Sequence, residues 1–179
     1  MRVIDLDTIR GVLPDIDLIS AIEKGFAAYS DGRAVVGPVG ELLFDDPPGD
    51  VHIKYGYIRG DDYYVIKIAS GFYDNPKLGL PSSNGLMLVF RVSTGEPLAL
   101  LADEGYLTDI RTAAAGAVAA RYLAPKPVDR IGIIGSGTQA RLQLLYLSEM
   151  TGCRKVAVWG PTPANVERYR REMAGQGFE

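Results

Sequence analysis

The segment around Gly135 constrains this chain more than any other feature. The apolar run Ile131 to Ile134 has the length and composition of a buried strand, and a helical pattern begins a few residues after it. Between them lies Gly135-Ser136-Gly137-Thr138-Gln139-Ala140, a G-x-G-x-x-A sequence. Strand, glycine turn and helix in this order are typical of a dinucleotide-binding unit. The alternative is a glycine turn in an α/β fold that binds nothing.

Each small residue of the motif has a physical role in such a unit. Gly135 allows a tight turn, Gly137 lets a pyrophosphate approach the backbone, and Ala140 lets the helix pack close to the strand. The helix N-terminus then offers free N–H groups and a partial positive charge to the phosphates. A second apolar run, Lys155 to Trp159, supplies the next strand that a βαβ unit requires.

Composition excludes several other classes of protein. With 179 residues, of which 47% are hydrophobic, the chain can form one or two packed domains. A net charge of −3 without a basic run does not indicate a nucleic-acid surface, and no apolar stretch approaches the ~20 residues of a membrane span. A single cysteine, Cys153, fits a reducing compartment, so we expect a cytoplasmic protein. The sequence shows no metal-ligand cluster and predicts no metal site.

The predicted fold class is α/β, in two parts. Residues 1–125 predict an α+β domain, and residues 126–179 predict the start of a Rossmann-type domain. The segment Ala124-Pro125-Lys126-Pro127 is the expected junction. Counting the strand that ends at Ile134, the chain has room for only two strands and two helices of this domain, whereas a complete domain of this type has five or six strands. We therefore expect the chain to be the N-terminal part of a longer protein.

A hairpin in the first domain groups three basic side chains. Two predicted strands, Val51 to Ile58 and Tyr63 to Ala69, flank the turn pair Gly60-Asp61. That turn sets a register in which Lys54 faces Lys67 and His52 faces Ala69. Because side chains alternate along a strand, His52, Lys54 and Lys67 lie on one face. Two opposed lysines are unfavourable unless an anion lies between them or one is neutral, so this face is a candidate substrate-binding surface.

Lys67 is the strongest candidate of the three. It interrupts a run that is apolar on both faces, which predicts a central strand. A lysine in such a strand must be paired, become neutral or face a cavity. The alternative is a lysine whose stem packs while its amine reaches solvent. His52, as a lone histidine on a strand, is more often structural than a ligand.

Arg111 is a second candidate. Thr108-Asp109 predicts the cap of an alanine-rich helix from about Ile110 to Leu123, which puts Arg111 in its first turn. The helix dipole disfavours a cation there, so the arginine is a candidate to bind a carboxylate or phosphate. The alternative is a surface arginine that pairs with Asp109 or Glu104. The polar cluster that begins at Ser82 fits either turn chemistry or a binding role.

The order of these segments resembles the ornithine cyclodeaminase/mu-crystallin family. The matching stretches are Tyr64-Val65-Ile66-Lys67-Ile68-Ala69-Ser70-Gly71, Gly79-Leu80-Pro81-Ser82-Ser83-Asn84-Gly85, Asp103-Glu104-Gly105-Tyr106-Leu107-Thr108-Asp109-Ile110-Arg111-Thr112-Ala113-Ala114-Ala115 and the glycine turn. The resemblance extends over essentially the whole chain. It implies an NAD(P)-dependent enzyme that moves a hydride to or from the α-carbon of an amino or imino acid. It also implies a homodimer and an ornithine cyclodeaminase-like deamination with ring closure.

The resemblance also implies roles for single residues. Lys67 matches a catalytic lysine of the substrate pocket, and Arg111 matches an arginine that contacts the substrate carboxylate or the cofactor. Ser82 matches a hydroxyl residue near the cofactor, and Thr138 and Gln139 match residues that hold the pyrophosphate.

Three departures from the family pattern leave the exact activity open. An arginine that many members carry after a proline is absent from Gly37-Pro38-Val39-Gly40-Glu41, so His52 or Lys54 could take part of its role. The second nucleotide strand ends at Gly160 instead of an acid, which favours NADP over NAD. The family's catalytic aspartate lies beyond residue 179, so this piece should not turn over alone. The alternatives are a ketimine or pyrroline-2-carboxylate reductase, a non-catalytic mu-crystallin-like nucleotide-binding protein, and an inactive truncated product.

Overall fold

The computed structural model describes all of residues 1–179, which form two compact units, Met1–Thr108 and Asp109–Glu179. The division falls inside a long helix, α3, which spans Tyr106–Leu123. The sequence-based boundary at 125/126 lies after that helix, and it stays a prediction. None of the helices combines the length and the hydrophobicity needed to cross a bilayer.

The first unit is built on a seven-stranded, mostly antiparallel sheet. Its strands are β1 (Arg2–Asp5), β2 (Ala34–Val36), β3 (Gly40–Phe44), β4 (Gly49–Ile58), β5 (Tyr63–Phe72), β6 (Ser83–Arg91) and β7 (Pro97–Ala102). Helices α1 (Leu6–Val12) and α2 (Leu18–Ser30) follow the first strand. The strand order is β1-β7-β6-β5-β4-β2, with β3 also paired to β4, and β1 runs parallel to β7. The sequence analysis did not predict β1, α1 or β2.

The hairpin formed by β4 and β5 has the predicted register. Lys54 is paired with Lys67, His52 with Ala69, and Gly56 with Val65. The strand that carries Lys67 lies between β4 and β6, so the prediction of an interior strand is also confirmed.

Helix α3 begins earlier than predicted, at Tyr106 instead of Ile110. Its first turn is capped by Asp103, whose side-chain Oδ2 accepts a hydrogen bond of 2.9 Å from the Leu107 N–H and whose carbonyl accepts one of 2.8 Å from Tyr106. The prediction that Thr108-Asp109 caps the helix was therefore wrong. Arg111 is the sixth residue of the helix and lies in its second turn, so the helix dipole does not explain its position.

The second unit continues α3 with a parallel βαβα arrangement. Its elements are β8 (Ile131–Ile134), α4 (Thr138–Leu147), β9 (Val156–Trp159) and α5 (Pro163–Ala174). The two strands are parallel and in register, with Ile131 opposite Val156 and Ile134 opposite Trp159. A small core packs behind them, formed by Ile131, Leu144, Tyr169, Met173 and Phe178. The predicted order of strand, glycine turn, helix, strand and helix is confirmed.

A glycine in β6 tests the central strand pairing. A Cβ at Gly85 would lie 2.6 Å from the carbonyl oxygen of Ile68 in β5, which is backbone and cannot rotate away. We expect Gly85→Ala to lower the free energy of unfolding by about 1–3 kcal/mol, the usual cost of overpacking. Gly25→Ala in α2 is the control, because a Cβ there meets nothing within 4 Å and alanine favours a helix by up to about 1 kcal/mol. Chemical denaturation measures the free energy of unfolding of both variants. A value for Gly85→Ala equal to that of the unmodified protein would contradict the close contact between β5 and β6.

Candidate functional site

The glycine turn of the second unit lies between the end of β8 and the start of α4. Gly135 has φ +106°, a conformation that residues with a side chain rarely adopt, and its N–H donates a 2.7 Å hydrogen bond to the carbonyl of Trp159. Gly137 is the N-cap residue of α4 and provides no side-chain cap. The first N–H groups of a helix have no partner within the helix. The turn thus has the backbone form that the motif predicted.

The space above this turn suits a pyrophosphate. A Cβ built at Gly135 or Gly137 would meet no atom within 4 Å, so the two glycines leave an open cradle that a side chain would partly fill. Thr138 follows at the first helical position, with its side chain exposed. A helix N-terminus with open backbone and a nearby hydroxyl is a suitable anion site. The residues present therefore fit a dinucleotide.

An arginine side chain forms hydrogen bonds with the backbone of the glycine turn. The Arg141 guanidinium donates hydrogen bonds to the carbonyl of Ser136 and, at 3.1 Å, to that of Gly137. Its Nε lies 2.5 Å from the carboxylate of Glu172 on α5, and this contact lowers the pKa of Glu172. The sequence analysis did not identify Arg141, which forms a bridge between the turn and α5.

Two predicted cofactor residues have other contacts in this unit. The side-chain amide of Gln139 donates to both the carbonyl and the carboxylate of Asp109, at 3.1 Å each. A Cβ at Gly160 would lie 3.0 Å from a methyl carbon of Val166, a tight contact that favours glycine directly after β9. The missing acid at this position is therefore a weaker guide to the cofactor than the sequence suggested.

The first unit places Lys67 in the middle of β5. The side chain is half-buried, and its Nζ lies 3.5 Å from the hydroxyl of Thr108 on the first turn of α3. On one side of Lys67 the opposed residue is Lys54, which is exposed, and on the other side it is Met87 of β6. The amine thus lies in a partly apolar setting on an interior strand.

His52 lies on the predicted face but has partners of its own. Its Nε2 is 2.9 Å from the Glu41 carboxylate and its Nδ1 is 3.2 Å from that of Asp50. Asp50 also accepts a hydrogen bond from the Tyr73 hydroxyl, and this bond raises the pKa of Tyr73. With a carboxylate at each ring nitrogen, His52 has less capacity for a substrate carboxylate than its position on the strand indicated.

The other predicted residues are on the surface. Ser82 is exposed next to the start of β6, and its carbonyl accepts a 2.8 Å hydrogen bond from the Phe72 N–H. Arg111 is exposed on α3. The structure shows no group of three or more acidic, histidine or cysteine side chains that could hold a metal ion.

Comparisons with known proteins agree with this arrangement. The sequence profile of the ornithine cyclodeaminase/mu-crystallin family matches residues 6–179. An uncharacterized cyclodeaminase of Sinorhizobium fredii is 43% identical over 175 residues, which cover 97% of this chain and 53% of the relative. The chain therefore spans about half the length of the curated relatives it matches.

Two solved structures are similar over the whole chain. Thermococcus litoralis Δ1-pyrroline-2-carboxylate reductase, in complex with NADH and L-proline, has a TM-score of 0.92 at 31% identity and is covered over 55% of its length. An archaeal alanine dehydrogenase dimer with bound NAD has a TM-score of 0.89 at 28% identity and is covered over 54% of its length. Both comparisons cover 100% of this chain.

Gly137 gives a direct test of the cradle. We expect Gly137→Val in the full-length protein to weaken dinucleotide binding by at least about tenfold, because the branched side chain would occupy the space of the pyrophosphate. The fold should persist, since a Cβ at this position meets no atom within 4 Å. NADH titration followed by fluorescence measures the affinity.

The matched control is Gly152→Val, at a second glycine whose Cβ would meet nothing within 4 Å. This variant should bind NADH like the unmodified protein. Normal NADH affinity in Gly137→Val would contradict the cradle.

Proposed function

The chain belongs to the ornithine cyclodeaminase/mu-crystallin family, and from this premise we propose that the full-length protein is an NAD-dependent enzyme of amino or imino acid metabolism. Its relatives include an uncharacterized cyclodeaminase and a pyrroline-2-carboxylate reductase in complex with NADH. The observation that carries the proposal is the half-buried Lys67 amine in an interior strand, in a chain that also has a dinucleotide cradle at Gly135 and Gly137.

The proposed reaction is a hydride transfer at the α-carbon of a small amino or imino acid. The bound nicotinamide would accept or supply the hydride, and the glycine turn would hold its pyrophosphate. Lys67 would contact the substrate and give or take a proton, which a half-buried amine can do because its pKa responds readily to its surroundings. Arg111, Lys54 and, to a smaller extent, His52 are the proposed contacts for the substrate carboxylate, and Ser82 is a proposed contact of the cofactor.

We propose NAD rather than NADP as the cofactor. The two solved relatives described above contain NADH and NAD. The sequence-based preference for NADP rested on the lack of an acid at Gly160, for which the contact with Val166 provides a separate reason. Parallel titration with NADH and NADPH tests this choice, and tighter binding of NADPH would reverse it.

Two types of reaction include this hydride transfer. In an ornithine cyclodeaminase-like enzyme the hydride is removed, the side-chain amine closes the ring, ammonia leaves and the hydride returns. In an imine reductase only the final reduction occurs. The absence of the arginine after Pro38 and the similarity to a pyrroline-2-carboxylate reductase favour the reductase, whereas the Sinorhizobium relative favours the cyclodeaminase. Ammonia release from L-ornithine distinguishes them.

We propose a homodimer as the working assembly, because one solved relative is a dimer with bound NAD. Sedimentation of the full-length protein measures this, and a monomer at micromolar concentration would contradict it.

The proposed role of Lys67 separates an enzyme from a non-catalytic nucleotide-binding protein. We expect Lys67→Ala to lower turnover of the full-length protein by about 10²-fold or more, the usual contribution of a positioned proton-transfer group, while NADH affinity stays nearly unchanged. Steady-state kinetics with a cyclic imino acid and NADH measures the effect. Lys24→Ala, which replaces an exposed lysine of α2, is the control and should keep full turnover. Unchanged turnover in Lys67→Ala would remove this residue from the mechanism.

A further inference from the structure

Asp103 is the one fully buried charged side chain, with only 1% of its surface exposed. It directly follows β7 and precedes α3, and Oδ2 of its carboxylate caps that helix through the 2.9 Å bond from the Leu107 N–H. The other oxygen, Oδ1, is buried and has no hydrogen-bond partner. A buried carboxylate oxygen without a partner is costly, so its retention calls for an explanation.

Helix capping alone does not require this arrangement. The caps of α1 and α2 are also aspartates, and Asp5 and Asp17 each accept one backbone hydrogen bond, of 2.9 Å and 3.0 Å, at exposed positions. A cap needs one side-chain oxygen, which asparagine or serine supplies equally well and without a buried charge. Capping therefore does not by itself explain why a carboxylate is buried at this position.

Asp103 directly follows β7, and the strand alternation, continued by one residue, puts it on the same side of the sheet as Lys67. Lys67 is opposite Met87, and Met87 is opposite Leu101 in β7. Asp103 follows Leu101 by two residues, the spacing that returns a side chain to the same face of a strand. The amine of Lys67 contacts Thr108, within the turn of α3 that Asp103 caps. The lysine and the carboxylate thus meet the same helix end.

The charged groups around Lys67 and Asp103 are two lysines, one buried carboxylate and one exposed carboxylate. Burial raises the pKa of Asp103, whereas backbone hydrogen bonds and the positive charge of Lys67 act in the opposite direction. Lys54 faces Lys67 across the hairpin and adds a second cation. Glu104, the neighbour of Asp103, is exposed. Among these groups Asp103 is the buried anion that can offset the repulsion between the two lysines.

We propose that Asp103 is a positioning residue for Lys67, whose buried carboxylate supplies the counter-charge that keeps the lysine protonated and held at the N-terminus of α3. This inference builds on the proposed function, in which Lys67 contacts the substrate. It adds a reason why Lys67 carries the proton that it delivers. The unpartnered carboxylate oxygen raises the free energy of the folded protein. In return, the carboxylate keeps a charged amine in a partly apolar site.

Titration of Lys67 tests the pair without substrate or cofactor. After reductive ¹³C-methylation of the lysines, NMR follows the pKa of each amine, and Lys67→Arg identifies the Lys67 signal. In Asp103→Asn the pKa of Lys67 should fall by about one unit or more, because the ammonium loses its nearby negative charge. Asparagine keeps an oxygen for the Leu107 N–H, so the cap and the fold should persist. The control Asp5→Asn makes the same change at the exposed cap of α1 and should leave Lys67 unchanged.

The reciprocal measurement needs no change at Asp103. In Lys67→Gln the pKa of the Asp103 carboxyl, read from its ¹³C signal, should rise above its value in the unmodified protein, because a positive charge that stabilises the carboxylate has been removed. Identical titration of Asp103 in both proteins, or of Lys67 with and without Asp103→Asn, would overturn the proposal.

Kinetics connects the pair to the reaction. In Asp103→Asn we expect kcat to fall by about tenfold or more, the basic limb of the pH–rate profile to move to lower pH, and NADH affinity to stay within about twofold. A purely structural cap would lower stability without moving that limb. If Lys67→Ala keeps full turnover while the NMR titrations still show coupling, the proposed function fails and the charge pair stands. If turnover depends on Lys67 and the titrations show no coupling, the charge pair fails and the proposed function stands.

Discussion

The pairing of β4 with β5 is the constraint on which the first unit depends. Residues 59–62 connect the two strands, with a 3.0 Å hydrogen bond from the Asp61 N–H to the carbonyl of Ile58, and a shift of the register by one residue would turn Lys67 to the opposite face of the sheet. In the observed register the lysine has a cation on one neighbouring strand and a methionine on the other. The chain thus holds an amine where it is partly desolvated and has one like-charged neighbour, conditions that perturb a lysine and suit it to proton transfer.

Helix N-termini are used in two different ways. The N-termini of α1, α2 and α3 are each closed by an aspartate that accepts a backbone N–H. Helix α4 instead begins at Gly137, which has no side chain to close it, and Arg141 holds the carbonyls of the preceding turn. A capped helix end satisfies its own donors, whereas an open end leaves them for an anion. Helix α5 also begins without a side-chain cap, at Thr162, so the feature that sets α4 apart is the pair Gly135 and Gly137, where a Cβ would meet no atom within 4 Å.

Local signals in the sequence were sufficient for much of this structure. The turn at Gly60-Asp61 gave the register of the hairpin, and the G-x-G-x-x-A motif gave the form of the second unit, because both depend on residues close together in the chain. The pairing of β1 with β7 joins segments almost 100 residues apart, and no local pattern reports it.

The start of α3 was missed for a related reason. Glu104 adopts φ +53°, uncommon for a residue with a side chain, and lies in a tight turn that lets Asp103 cap the helix before the more obvious Thr108-Asp109. An aspartate two residues before a glycine, at the end of a strand, was the available signal. The relation of Asp103 to Lys67 could not be read from sequence, because it depends on two strand registers at once, that of β5 with β6 and that of β6 with β7.

The proposed activity is the transfer of a hydride between a nicotinamide and the α-carbon of an imino acid. The most direct measurement is incubation of the full-length protein with Δ1-pyrroline-2-carboxylate and NADH that carries deuterium at C4 of the nicotinamide, followed by mass spectrometry of the product. Both candidate reactions share this step, so the account predicts proline with one deuterium at the α-carbon from one of the two C4-labelled epimers. Consumption of neither epimer, with this imino acid and with its six-membered homologue, would contradict the account.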